Sequence, residues 1–154
     1  RVVFGNGKYL DVGASAVKRI EATDMAFFYI DIPFDIGVQL PIKTGNVQAG
    51  EKVVVSGWSH ATQDNPLLYR LLQGVVVSVA PEMMASGYTL TYATSSPTLA
   101  GMSGGPVLND AGVLVGIHGR AERLPTVMIE GVKEVASTNG QAMPISLFMN
   151  ANTH

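Results

Sequence analysis

The residues best suited to chemistry lie in the segment LAGMSGGPVLN, residues 99–109, where Ser103 stands among three glycines. Glycine lets the backbone turn sharply and leaves room for a substrate, so the hydroxyl of Ser103 would project from a tight loop. The N–H groups of Gly101 and Ser103 could then converge on a carbonyl oxygen under attack. This pattern predicts acyl transfer with Ser103 as nucleophile; a glycine-rich turn with an incidental serine is the simpler interpretation of a shorter motif.

The same letters also satisfy the Gly-x-Ser-x-Gly turn of α/β-hydrolases. That turn requires a strand before the serine and a helix after it, followed along the chain by an aspartate and a histidine. Here a short β run, a turn at residues 109–112 and a second β run follow Ser103 instead. The order of elements therefore disfavours an α/β-hydrolase and with it lipid hydrolysis.

Composition excludes several other classes of protein. The net charge is −2 and only 14% of the 154 residues are charged, which argues against nucleic-acid binding and against a basic membrane-surface patch. The chain has no cysteine and no His-Glu-x-x-His cluster, so we expect no disulfide, no metal and no organic cofactor. No apolar run approaches the roughly 20 residues that cross a bilayer, so we expect no membrane span.

The positions of the turn residues predict an all-β fold. Short β-rich runs are bounded by glycine, proline or asparagine about every ten residues, as in sandwiches and barrels. Gly5, Asn6 and Gly7 predict a hairpin turn between two short strands, and residues 25–32 read as a nearly continuous apolar strand. Further strands are predicted at residues 52–55, 69–79, 88–92, 106–108, 113–117 and 126–129.

The closing segment predicts a short C-terminal helix. Pro144 suits the first helical position, and Ile145, Phe148 and Met149 are spaced for one apolar stripe. Residues 35–50 are poor in strand signals and are interpreted as a crossing between two β units.

Three motifs resemble the trypsin/chymotrypsin-like serine proteases, particularly bacterial members of the glutamyl-endopeptidase and HtrA kind. The nucleophile loop and the next strand of the family resemble residues 101–119, GMSGGPVLNDAGVLVGIHG. The family's strand ending in Gly-Trp resembles residues 53–58, VVVSGW, and its Asp-x-Ala strand resembles residues 21–32, EATDMAFFYIDI. The resemblance implies two Greek-key β-barrels with the active site between them. It divides the chain into the C-terminal part of the first barrel (1–34), the crossing (35–50), and the second barrel with its helix (51–154).

By this resemblance Ser103 is the nucleophile, Gly101 and Ser103 form the oxyanion hole, and Asp24 orients a catalytic histidine. A turn aspartate is the alternative for Asp24. The template places the histidine about 45 residues before the aspartate, yet residues 1–23 contain none. We therefore expect an upstream segment or partner chain to supply it; a catalytically inactive, peptide-binding relative is the alternative.

The three histidines in the sequence are expected to lie away from the position of the catalytic base. His60 is expected in a solvent-exposed loop, His154 is the last residue, and His118 lies on the strand that lines the substrate pocket in the family. None is expected to bridge Asp24 and Ser103.

The resemblance also indicates a substrate preference. Glutamyl endopeptidases keep a threonine five residues before the serine and a histidine fifteen after it, and Thr98 and His118 match both offsets. A hydroxyl beside an imidazole can donate to a carboxylate, so an acidic P1 side chain is predicted; ordinary loop and strand residues are the alternative. A polypeptide substrate would add as a strand along Gly119, Arg120 and Ala121, with Arg120 facing either cleft or solvent. The sequence leaves the compartment open, with a weak preference for a bacterial periplasmic or secreted enzyme.

Overall fold

The computed structural model describes residues 1–36, 39–42, 47–60, 67–80, 87–123 and 136–151, which form mainly β-structure. In chain order the elements are β1 (Val2–Val3), β2 (Tyr9–Leu10), β3 (Lys18–Arg19), β4 (Ala26–Phe27), β5 (Lys52–Ser59), β6 (Leu68–Val79), β7 (Leu90–Thr94), β8 (Pro106–Asn109), β9 (Leu114–Arg123), β10 (Ala136–Pro144) and helix α1 (Ser146–Ala151).

Six strands close into one antiparallel barrel. Their order around it is β10, β7, β6, β5, β8, β9. Strands β5, β6 and β7 follow one another as neighbours, and β8 returns to lie beside β5, which is the Greek-key arrangement. The predicted all-β class, with a barrel and a short closing helix, is confirmed.

The barrel is filled by side chains that alternate inward along its strands. In β7, Leu90, Tyr92 and Thr94 are buried while the residues between them are only half-buried, as expected for a strand with one face on the core. The interior also holds Met102, which lies outside any strand and is fully buried. The core members are Val47, Val53, Val55, Leu72, Val76, Leu90, Tyr92, Met102, Val107, Val115 and Ala142.

The N-terminal residues form two separate two-stranded sheets. The predicted hairpin is present, with β1 paired to β2 and Gly7 at φ 79° in the turn. The long strand predicted at residues 25–32 is wrong: only β4, two residues long, pairs, and its partner is β3. A strand extends only as far as its hydrogen-bonding neighbour, and β3 offers two residues here.

Other predicted bounds also change. Strand β5 continues to Ser59, β9 continues to Arg123, and β7 begins two residues later than predicted. Pro144 ends β10 rather than starting the helix. Strand β10 was not predicted, and the strand predicted at residues 126–129 lies outside the described residues. No helix within the described ranges has the length and apolar character needed to span a membrane.

A second apolar cluster joins the N-terminal sheets to the barrel. Ile20 and Met25, on either side of the turn between β3 and β4, pack with Tyr88 and Met143 from the barrel. Phe148 of α1 meets Phe27 edge-on at 5.2 Å between ring centroids. This cluster holds the turn that carries Asp24 against the barrel.

Candidate functional site

The loop that carries Ser103 lies tightly against β5. A Cβ atom on Gly105 would stand 2.0 Å from the carbonyl oxygen of Ser56, so no larger residue fits there without displacement. A Cβ atom on Gly57 would also meet the backbone of this loop, at 3.1 Å from the Cα atom of Met102. The buried side chain of Met102 anchors the loop in the barrel core and contributes about 1.5–3 kcal/mol by its burial.

The backbone N–H groups of this loop divide into two sets. Those of Met102, Gly104 and Gly105 donate to the carbonyls of Leu99, His118 and Met102, at 3.1, 2.7 and 3.0 Å. Within the described part of the chain, the N–H groups of Gly101 and Ser103 donate to no protein acceptor. Gly101 reaches this geometry at φ 96°, a left-handed conformation that favours glycine. The two groups assigned to an oxyanion are therefore available to one.

Ser103 is solvent-exposed, and its hydroxyl has one hydrogen-bond partner among the described residues. The Oγ atom donates to the carbonyl oxygen of Gly119 on β9, at 2.6 Å. Since a carbonyl oxygen is a poor proton acceptor, this bond orients the hydroxyl without activating it.

Asp24 lies in the turn between β3 and β4, but its carboxylate is bound to a distant residue. Local bonds in this turn are made by Thr23, whose hydroxyl donates to the carbonyl of Ile20 at 2.8 Å. The Oδ2 atom of Asp24 accepts a hydrogen bond from the Tyr88 hydroxyl at 2.6 Å, across 64 positions of sequence. A cavity of about 210 Å³ adjoins Asp24; it is lined by Arg19, Thr23, Asp24, Met25 and Ala26.

Tyr88 links the two predicted catalytic residues. Its ring lies against Gly119, and the carbonyl oxygen of Gly119 accepts the hydrogen bond from the Ser103 hydroxyl. Burial, the hydrogen bond to Asp24 and the charge of Asp24 together raise the pKa of Tyr88 to about 12, against an opposing effect of Arg120. The phenol is therefore protonated and donates to Asp24 throughout the physiological pH range.

His118 lies inside the barrel wall rather than on an open surface. Only 2% of it is exposed, and its Nδ1 atom is hydrogen-bonded to the hydroxyl of Tyr92. Burial lowers the pKa of His118, and a backbone hydrogen bond with Gln141 opposes this only in part. The imidazole is therefore neutral at pH 7, so it can donate a hydrogen bond but carries no positive charge.

Thr98 is also buried, just before the nucleophile loop. Among the described residues no hydrogen bond joins its hydroxyl to His118 or to any other group. This distinguishes it from Thr94, whose hydroxyl is bonded to the carbonyls of Ser96 and Thr138, each at 2.8 Å.

Neither described histidine connects Asp24 with Ser103. His118 is bound to Tyr92, and His60 is an exposed residue whose backbone N–H donates to the carbonyl of Ala100 at 2.8 Å. His154 lies outside the described residues.

The predicted substrate-binding segment lies on a half-paired strand. Gly140 and Gln141 of β10 pair with Ala121 and Arg120, whereas the pairing of β9 with β8 ends at Ile117. Within the described ranges, no strand pairs with the opposite edge of residues 119–121, which could therefore accept an added strand. The side chain of Arg120 is exposed, with its guanidinium 4.3 Å from the Tyr88 ring centroid.

The closed Greek-key barrel carries at one edge a loop in which a serine is flanked by glycines. These two features define a domain of the trypsin-like fold. The family model described as "Trypsin-like peptidase domain" matches residues 1–117. The chain belongs to this family.

A solved structure supports the fold independently. The protease of Tobacco Etch Virus, as a C151A mutant, superposes with a TM-score of 0.53 at 14% identity, over 90% of this chain. The chain spans about half (53%) of the length of that protease chain.

Sequence reasoning did not find three of these residues. Tyr88 and Tyr92 lie within the strand predicted at residues 88–92, and nothing in the sequence separates them from core tyrosines. The third residue is Met102, which stands beside the predicted nucleophile. Its apolar side chain was the available signal, since a methionine between glycines must find a core to fill.

Proposed function

We propose that this domain is a serine endopeptidase. The Oγ atom of Ser103 attacks the peptide carbonyl and its proton passes to an imidazole, which then protonates the leaving amine. Water hydrolyses the resulting ester by the same steps and regenerates the serine. Asp24 orients the imidazole and stabilises its charged form.

One observation carries this proposal. Among the residues that the structure describes, the N–H groups of Gly101 and Ser103 have no protein acceptor and lie beside an exposed hydroxyl, while their neighbours along the loop are bonded. Both residues are exposed, so a substrate oxygen can reach these two donors beside the nucleophile, which favours an oxyanion site.

The imidazole is proposed to come from outside these 154 residues. His118 is bound to Tyr92 and His60 is an exposed residue just after β5, while the cavity beside Asp24 offers far more space than the roughly 30 Å³ of one water. The two-stranded sheets β1–β2 and β3–β4 would then belong to a larger first barrel, with residues 35–50 as the crossing to the second.

Labelling with a fluorophosphonate probe tests the proposal. We expect the intact protein to form a covalent adduct at Ser103, identified by peptide mass spectrometry, and Ser103→Ala to form none. Ser96→Ala, a change at an exposed serine before the loop, should label like wild type. A folded protein that binds peptides but stays unlabelled would favour the second candidate, a peptide-binding module that uses the open edge of β9.

We further propose a preference for acidic P1 side chains, as in the glutamyl-endopeptidase type. Thr98 would donate a hydrogen bond to the substrate carboxylate, and neutral His118 would donate its single ring N–H in place of its present backbone bond with Gln141. Because His118 is uncharged at pH 7, recognition depends on two placed donors rather than on an ion pair.

Thr98→Val tests this preference, since it replaces a hydroxyl by a methyl group of similar size. We expect kcat/KM for a peptide with glutamate at P1 to fall by about tenfold, the effect of one hydrogen bond to a charged group. The value for a matched alanine peptide should stay nearly unchanged. Thr94→Val is the control, because the Thr94 hydroxyl is already engaged by two carbonyls. Equal losses for both peptides would argue against a P1 role for Thr98.

A further inference from the structure

We propose that Tyr88 is a positioning residue for the Asp24 carboxylate, held in a slot that exists because residue 119 is glycine. This role rests on the proposed peptidase function. The Tyr88 hydroxyl bonds Asp24, whereas the Ser103 hydroxyl bonds Gly119, so Tyr88 acts through Asp24.

The slot is defined by Gly119 on β9. A Cβ atom there would stand 2.1 Å from Cε1 and 2.2 Å from the hydroxyl oxygen of Tyr88. These distances are far below van der Waals contact, so any side chain at position 119 would displace the tyrosine from Asp24. Gly119 has no left-handed φ, so the constraint is one of space alone.

The Tyr88 ring is fixed on its other sides as well. It is 5% exposed and packs with Ile20, Met25 and Met143. The Arg120 guanidinium stacks on it at 4.3 Å and is itself held by a hydrogen bond from its Nε atom to the Gln141 side chain, at 2.8 Å. A hydroxyl on so confined a ring fixes the position of the group it binds.

The bond matters because Asp24 lies outside the barrel. Its turn belongs to the small sheet of β3 and β4, whereas Ser103 belongs to the barrel. Through Tyr88 the carboxylate is joined to the same strand, β9, that accepts the Ser103 hydroxyl. The Tyr88 hydroxyl bonds only Oδ2, and no donor among the described residues reaches the Oδ1 atom of Asp24, which can accept an imidazole N–H.

Tyr88→Phe removes only the hydroxyl, and Tyr69→Phe is the matched control at an exposed tyrosine on β6. We expect Tyr88→Phe to lower kcat and the rate of fluorophosphonate labelling by about tenfold while KM changes little. Tyr69→Phe should leave all three quantities unchanged. A higher KM with unchanged kcat and labelling rate would contradict the proposal. So would wild-type values of all three quantities for Tyr88→Phe.

A rescue experiment separates positioning from mere packing. In Tyr88→Ala the slot is empty, and adding Gly119→Ser places a new hydroxyl within reach of Asp24. We expect the double variant to recover part of the labelling rate that Tyr88→Ala loses, whereas Tyr88→Ala with Gly119→Ala should not. Equal rates in the two double variants would contradict the role of the hydroxyl.

These outcomes distinguish the two proposals. An unlabelled wild-type protein would contradict the peptidase function and this role with it. A labelled wild type with an equally reactive Tyr88→Phe would contradict the role of Tyr88 alone.

Discussion

Asp24→Asn is expected to lower kcat by roughly 10⁴-fold with little change in stability. The carboxamide oxygen can still accept the hydrogen bond from Tyr88, so the turn between β3 and β4 keeps its place. Its charge, however, is lost, and the amide group can present a donor where the imidazole N–H needs an acceptor. The imidazole would then be held in the wrong tautomer for taking the Ser103 proton. Steady-state hydrolysis of a peptide substrate gives kcat, and urea unfolding gives the stability.

Asp110→Asn is the control for this change, since Asp110 is an exposed residue in the turn after β8. It should behave as wild type in both measurements. If Asp24→Asn kept wild-type kcat, Asp24 would be a turn residue and the nucleophile would depend on another group.

The nucleophile loop could be predicted because the residues that define its chemistry are adjacent in sequence. A serine among glycines indicates a tight turn. In the structure Gly101 adopts a left-handed φ, and Gly105 lies in close contact with β5. The all-β class could be predicted for a similar reason, since short β-rich runs with regular turns indicate a sandwich or a barrel; the barrel followed from the resemblance to the trypsin-like proteases.

The slot for Tyr88 could not be predicted, because it depends on three segments that are distant in sequence. Asp24, Tyr88 and Gly119 meet only once the small sheet has packed on the barrel. In the sequence, Gly119 is one glycine in a strand. Such a glycine indicates that another group approaches the backbone closely, but it does not show which residue that is.

Strand β10 was missed for a different reason. Its sequence, ASTNGQAMP, contains small and polar residues with low β propensity. It is a strand because it fills the gap between β9 and β7, where main-chain hydrogen bonds close the barrel. Gly140 also makes room for the Tyr92 ring, since a Cβ there would stand 2.5 Å from Cε2. Strand formation here is set by neighbours rather than by local preference.

Gly105→Ala is expected to reduce the free energy of unfolding by about 3 kcal/mol or more and to abolish labelling of Ser103. The new methyl group would overlap the Ser56 carbonyl oxygen at 2.0 Å and crowd the Met102 carbonyl oxygen at 2.9 Å. Both are backbone atoms, and neither can rotate aside as a flexible side chain can. Relief requires the loop to lift from β5, which withdraws Met102 from the core and disorganises the N–H groups of Gly101 and Ser103. Urea unfolding and the fluorophosphonate rate measure the two effects.

Gly5→Ala is the matched control, because no atom lies within 4 Å of a Cβ there and its φ is ordinary. Its stability should stay within about 0.5 kcal/mol of wild type and its labelling should be unchanged. A Gly105→Ala protein as stable as Gly5→Ala would contradict the close contact with Ser56. A destabilised Gly105→Ala protein that still labelled at the wild-type rate would show that the oxyanion N–H groups do not depend on this anchor. The expected joint loss follows from one cause, since the same contact that packs β8 on β5 also holds the loop in its reactive shape.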